Sequence, residues 1–118
     1  MAGDPTSVLD RDAFDDFAGL FTACELVEMI EQWHADSLVA LSAIAHALAH
    51  DDRARIGELA HRAAGGALAL GATAMARTCE GLRSAAESGG AVTAADVAQV
   101  RAMVTATHEA MQAAVEAA

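Results

Sequence analysis

Apolar residues recur along this chain at helical spacing, not with the alternation of strands. From Leu26 they return at Ile30, Trp33, Leu38 or Val39, Leu41, Ile44 and Leu48, close to the ~3.6-residue period that lines one face of an α-helix. The pattern lasts until about His50, a rod of roughly 40 Å at ~1.5 Å per residue. Thr22 followed by Glu25 forms a capping-box pattern that opens this helix. Upstream, Asp10 can cap a short amphipathic helix running to about Gly19, with Phe14 and Phe17 on one side. Residues 1–9 read as a tail.

Asp51 and Asp52 suit a new N-terminus, because carboxylates accept from the free N–H groups of a first turn. The third helix they open would bury Ile56, Leu59, Ala60 and Ala63 and weaken near Gly71. A fourth, from about Ala72 to Ser88, would bury Met75, Cys79, Leu82 and Ala86. Gly89-Gly90 stops it, since glycine accepts the left-handed conformation that ends helices. Thr93 with Asp96 caps a fifth, with Val97, Val100, Val104, Met111 and Val115 inward. Short turns join the last four helices, so the expected fold is all-α: an antiparallel up-down four-helix bundle with a short extra N-terminal helix, filling residues 10–118 as one domain.

Composition agrees. Hydrophobic residues make up 54% of the 118, much of it alanine, with four aromatics (Phe14, Phe17, Phe21, Trp33) and Pro5 the only proline. Small side chains let helices approach closely. The net charge is −10 and there is no lysine, which argues against a nucleic-acid partner. No apolar run of about 18 residues could cross a membrane, and MAGDPTSVLD lacks the basic start and apolar run of a signal peptide. Cys24 and Cys79 lack CxxC spacing and read as two buried free thiols. A cytoplasmic location and a monomeric state are expected. The charge is uneven: between Arg53 and Arg83 five arginines (Arg53, Arg55, Arg62, Arg77, Arg83) face two acids, a local balance of +3 that leaves −13 for the rest. Such a segment suits an acidic partner, or is simply a solvated face.

The helical pattern breaks in HRAAGGALALGA, residues 61–72. Gly65 and Gly66 lie inside an otherwise good helix, where each costs about 1 kcal/mol relative to alanine. Position i+4 is the neighbour of position i on a helix, so Gly65 lies beside His61, as does the small Ala64 at i+3. An exposed imidazole cleared for close approach suits a nucleophile or a phosphoryl carrier. The same glycines would also serve a tight helix contact or a kink, with His61 an ordinary surface residue.

Residues 60–90, AHRAAGGALALGATAMARTCEGLRSAAESGG, resemble the histidine phosphotransfer (HPt) family of two-component phosphorelays. The matching positions are His61, Gly65, Gly71, Ala72, Met75 in place of a leucine, Cys79, Leu82 and Gly89. The upstream segment, with its short and then long helix, is similar as well. Two positions depart: Ala64 stands where the family carries a lysine, and Gly66 where it carries a serine.

The resemblance implies that His61 accepts a phosphoryl group from a receiver-domain aspartate and passes it to another receiver. It implies receiver domains of response regulators and a hybrid sensor histidine kinase as partners, with the receiver supplying magnesium. Docking would use Ala64, Gly65, Leu68 and the arginines Arg53, Arg55, Arg62 and Arg77. No cofactor is expected on this chain. Without a GxxxxGK[ST] loop, neither is kinase activity of its own. The missing lysine favours an alternative, a helical adaptor that docks receiver or kinase domains without carrying phosphate.

The other histidines offer only partial metal-ligand patterns. His46 and His50 stand at i, i+4, with His34 approximately on the same side, but no carboxylate or cysteine at convincing spacing completes a site. Glu31-x-x-His34 and Glu58-x-x-His61 have the spacing of di-metal carboxylate bundles without the additional glutamates these need. No metal is therefore expected, and His108 is assigned to the surface. The methionines at core spacing read as filler.

Overall fold

The computed structural model describes residues 8–117. Among these residues five helices follow one another: α1 (Arg11–Ala18), α2 (Ala23–Ala49), α3 (Arg53–Ala69), α4 (Thr73–Ser88) and α5 (Ala94–Ala117). α2 to α5 form the four-helix bundle. α3 packs on α2 and α4, and α5 closes the ring between α4 and α2. Short turns make consecutive helices antiparallel neighbours.

The starts of α1, α2, α3 and α5 are set by the predicted side chains. The Asp10 carboxylate accepts from Ala13 N–H at 3.1 Å. Thr22 and Glu25 form the reciprocal capping box, with bonds of 2.9 and 3.1 Å. Asp52 caps α3 through Arg55 N–H at 3.1 Å, and Thr93 N–H donates to Asp96 at 2.8 Å. Gly89 ends α4 in the left-handed region at φ 78°. Gly71 also has positive φ, and a Cβ there would stand 2.9 Å from Asp10 O and Phe14 N. α1 therefore docks its first turn on the α3–α4 corner, with Asp10 N–H donating to Gly71 O at 2.8 Å.

Phe14, Ile30, Leu41, Ile44, Ile56, Met75, Cys79, Val104 and Met111 are among the buried side chains. Several sequence expectations shift by one position. In α2 the stripe passes through buried Ser37, leaving Leu38 half-buried and Val39 70% exposed. In α3, Ala63 is half-buried while Ala64 and Ala67 enter the core. In α5, Thr107 and Ala114 are buried, and Val115 lies at the edge. Thr107 satisfies its hydroxyl by donating to Met103 O at 2.7 Å.

Of the tail expected over residues 1–9, residues 1–7 lie outside the described residues, whereas Leu9 is buried in the core. Cys24 is exposed, contrary to the expectation of two buried thiols, because it lies on the outer side of the first turn of α2. His108 is not a surface residue: its side chain is 13% exposed and packs against α2. Among the described residues no helix is long and apolar enough to cross a membrane.

Candidate functional site

His61 stands in the middle of α3 with its side chain 64% exposed. Its position follows from the inward face of the helix. Ile56, Leu59, Ala60, Ala64 and Ala67 point into the bundle, and His61 lies just beyond that stripe, toward α4. There its Nδ1 lies 3.0 Å from Glu80 Oε1. A carboxylate has no proton to give, so the ring nitrogen donates. In the neutral ring this contact places the proton on Nδ1 and leaves the lone pair on Nε2.

Glu80 is held in turn. Its Oε2 accepts from Arg83 at 3.0 Å, and Arg83 Nε donates to Glu87 at 3.0 Å. The hydrogen bond from His61, then that from Arg83, keeps the Glu80 carboxyl below the usual carboxylate range. Arg83 is raised by its bonds to Glu87 and Glu80. The result is a surface chain, His61–Glu80–Arg83–Glu87, that orients one imidazole and provides a negative charge behind it.

In front of the imidazole there is room. A Cβ on Gly65 or Gly66 would meet nothing within 4 Å. The two glycines therefore do not serve a tight helix contact, and neither has positive φ. Leu68, two turns along from His61, is 57% exposed.

On the other side of α3 a groove runs between α2 and α3. Trp33, Ala40, Ala43, Leu59 and Ala63 line its walls, with Val39 and Gly66 beside them and Arg55 and Arg62 at the rim. Arg62 thus points toward α2 while His61 leans toward α4. The two diverge as their ~100° separation on a helix requires, and Arg62 does not reach over the imidazole as the absent lysine would.

Two of the residues expected to dock a partner do not belong to this surface. Ala64 is 2% exposed and packs in the core, because the α3 stripe runs 60–64–67 and takes the i+3 neighbour of His61 inward. Arg53 is half-buried and straps two corners together, donating to the carbonyls of Ala85 and Gly90. Arg55 is exposed and pairs with Glu58 at 3.3 Å. Arg77 is exposed one turn before Glu80 on α4.

Glu80 is the site residue that sequence reasoning missed. It lies 19 positions from His61, on a neighbouring helix, and entered the reading only as one of two acids in a basic segment. The ladder Arg77, Glu80, Arg83, Glu87 at helical spacing was the available signal that one face of α4 carries paired charge.

A sequence model described as Hpt domain matches residues 25–110. No curated protein and no solved structure matches the chain. The match spans nearly all of α2, all of α3 and α4 and most of α5, and includes His61, Gly65 and Glu80. With its helical bundle and its exposed, glycine-flanked histidine, the chain belongs to the histidine phosphotransfer (Hpt) domain family.

Proposed function

We propose that His61 carries a phosphoryl group between receiver domains of a phosphorelay. The observation that carries this reading is the imidazole itself: exposed, with no side chain on the neighbouring Gly65, and held through Nδ1 by Glu80 so that Nε2 is free to attack.

In the forward step Nε2 attacks the phosphorus of a receiver aspartyl phosphate. The Nε2–P bond forms, the P–O bond to the aspartate breaks, and the carboxylate leaves with its electron pair. The ring becomes a cation that keeps its proton on Nδ1, where Glu80 accepts the hydrogen bond and stabilises the charge. Attack by a second receiver's aspartate on the same phosphorus reverses the sequence and restores the neutral imidazole. Magnesium and the acidic pocket belong to the receiver. The chain acts as carrier and docking surface, with no kinase activity of its own.

The docking surface is the exposed face of α3 around His61, Gly65 and Leu68, extended by the neighbouring groove between α2 and α3, where Val39 is a further exposed apolar contact. Arg55, Arg62 and Arg77 steer an acidic receiver toward it, an effect on encounter rate that salt weakens. The upstream donor is a hybrid sensor histidine kinase, and the compartment is the cytoplasm. A monomer suffices for this chemistry.

Phosphorylating the protein with a phosphorylated receiver and reading the histidine ring nitrogens by 15N and 31P NMR tests the assignment. Phosphorus coupled to Nε2 of His61 is expected. Phosphorus at Nδ1, or on any other residue, would overturn it. Alanine in the family's lysine position favours a second reading, the non-transferring adaptor, for which receiver binding would persist with no phosphorus on the chain.

A further inference from the structure

The seam between α2 and α5 brings together three residues that the phosphorelay reading does not use. Glu31 and His34 stand one turn apart on α2, and His108 reaches them from α5. His108 Nε2 lies 2.8 Å from Glu31 Oε2. The His34 ring stacks on the His108 ring, with centroids 3.8 Å apart and planes 7° from parallel. One donor atom from each of the three lies within 4.8 Å of the others.

The surroundings suit a cation. Gln112, one turn after His108, donates its amide to the same Glu31 oxygen at 3.4 Å. Glu31 is half exposed while His108 is largely covered, so the seam is open on one side to an ion and to water. The net charge of −10 raises the local concentration of cations.

We infer that Glu31, His34 and His108 form a site for a divalent transition metal, with zinc the best fit, clamping α2 to α5. Two imidazoles and one carboxylate are a nitrogen-rich set that suits zinc and disfavours magnesium and calcium, which take oxygen ligands. Zinc bonds of ~2.0–2.2 Å arranged as a tetrahedron hold their donor atoms roughly 3.3–3.6 Å apart. Here His108 Nε2 and Glu31 Oε2 are closer than that, at 2.8 Å, and all three donor atoms lie within 4.8 Å of one another. Binding opens the contact between His108 and Glu31, turns the His34 ring out of the stack and admits water as fourth ligand. Gln112 then orients the carboxylate from outside the coordination sphere. The clamp leaves the face where α3 meets α4 free, so His61 is not a ligand.

The competing location is His46 and His50. Both are exposed, their rings are 4.3 Å apart, and His50 Nδ1 is engaged with His46 O at 2.9 Å. No carboxylate joins them within ligand reach among the described residues.

The test is a titration of the metal-free full chain with zinc by calorimetry, with cobalt absorption and thermal melting in parallel. One equivalent is expected to bind and to raise Tm. Glu31→Gln, His34→Gln and His108→Gln should each weaken binding at least about tenfold, and Gln112→Leu by roughly tenfold. The double variant His46→Ala/His50→Ala should bind as wild type does. Circular dichroism confirms that each variant is folded, and Glu31→Gln, at an exposed position, remains decisive if a histidine variant unfolds. Absence of saturable zinc binding would overturn the proposal, as would binding that survives Glu31→Gln and His108→Gln or disappears with His46 and His50.

Discussion

Substituting Gly65 separates what the helix gains from what the site loses. Gly65 and Gly66 lie inside α3 without positive φ, and an added Cβ would meet nothing within 4 Å at either position. The full propensity difference between glycine and alanine should therefore appear, about 0.8–1 kcal/mol for each substitution. For a chain of this size that raises Tm by roughly 3–6 °C. Gly81→Ala is the matched control. Gly81 is an exposed glycine of α4 with the same open surroundings, and it faces the groove between α4 and α5. All three alanine variants should be stabilised, while only those beside His61 put function at risk. Gly65→Leu should melt no lower than wild type, yet slow phosphoryl transfer about tenfold or more, equivalent to about 1.4 kcal/mol of barrier, because its side chain occupies the approach to the imidazole. The assays are thermal melting by circular dichroism and a time course of label transfer from a phosphorylated receiver. A lower Tm for Gly65→Ala would refute the open-surface reading. Transfer by Gly65→Leu at the wild-type rate would refute clearance as the reason for the glycine.

Glu80→Gln keeps the shape of the site but removes the charge behind the imidazole, so transfer should slow severalfold, with a small loss of Tm at neutral pH. The carboxyl of Glu80 is lowered by His61 and Arg83, so its stabilising contribution is complete above the ordinary carboxylate range and lost as pH falls through the lowered value. The stability difference between wild type and Glu80→Gln should accordingly shrink on acidification, which melts at stepped pH will check. Gly71→Ala combines a left-handed backbone, about 1–2 kcal/mol for a residue with a Cβ, with a Cβ placed 2.9 Å from the backbone of α1. A loss of at least that size is expected in chemical denaturation. Iodoacetamide at mildly alkaline pH should modify exposed Cys24 but not Cys79, which burial pushes up to about 11. Mass spectrometry of the folded and the unfolded chain will show one alkylation and then two.

Four of the helix starts and the end of α4 were legible because they are written locally, whereas α4 starts after Ala72 without a side-chain cap. Asp10, Thr22 with Glu25, Asp52 and Thr93 with Asp96 cap the helices they were expected to cap, and Gly89 ends α4. The candidate His61 was legible for the same reason, since two glycines in a helix interior violate a local rule. What periodicity could not fix was the angle of each helix about its own axis. One residue is ~100° of rotation, enough to exchange Leu38 for Ser37 at the core of α2 and to turn Ala64 inward beside His61. Arg53, counted with the docking arginines, reaches the carbonyls of Ala85 and Gly90, corners that adjoin it only because α3 pairs with α4. Glu80 and His108 were missed on similar grounds. Their partners lie 19 and 77 positions away, and only the order of helices around the bundle brings them together.

The most direct measurement follows label through the chain. Wild type and His61→Gln are incubated with radiolabelled phospho-receiver domains, and a second, unlabelled receiver is then added. Label is expected on wild type alone, acid-labile and base-stable as a phosphohistidine is, and it should leave for the second receiver. Receiver binding without label on wild type, or equal label on His61→Gln, would contradict the assignment of His61 as the carrier.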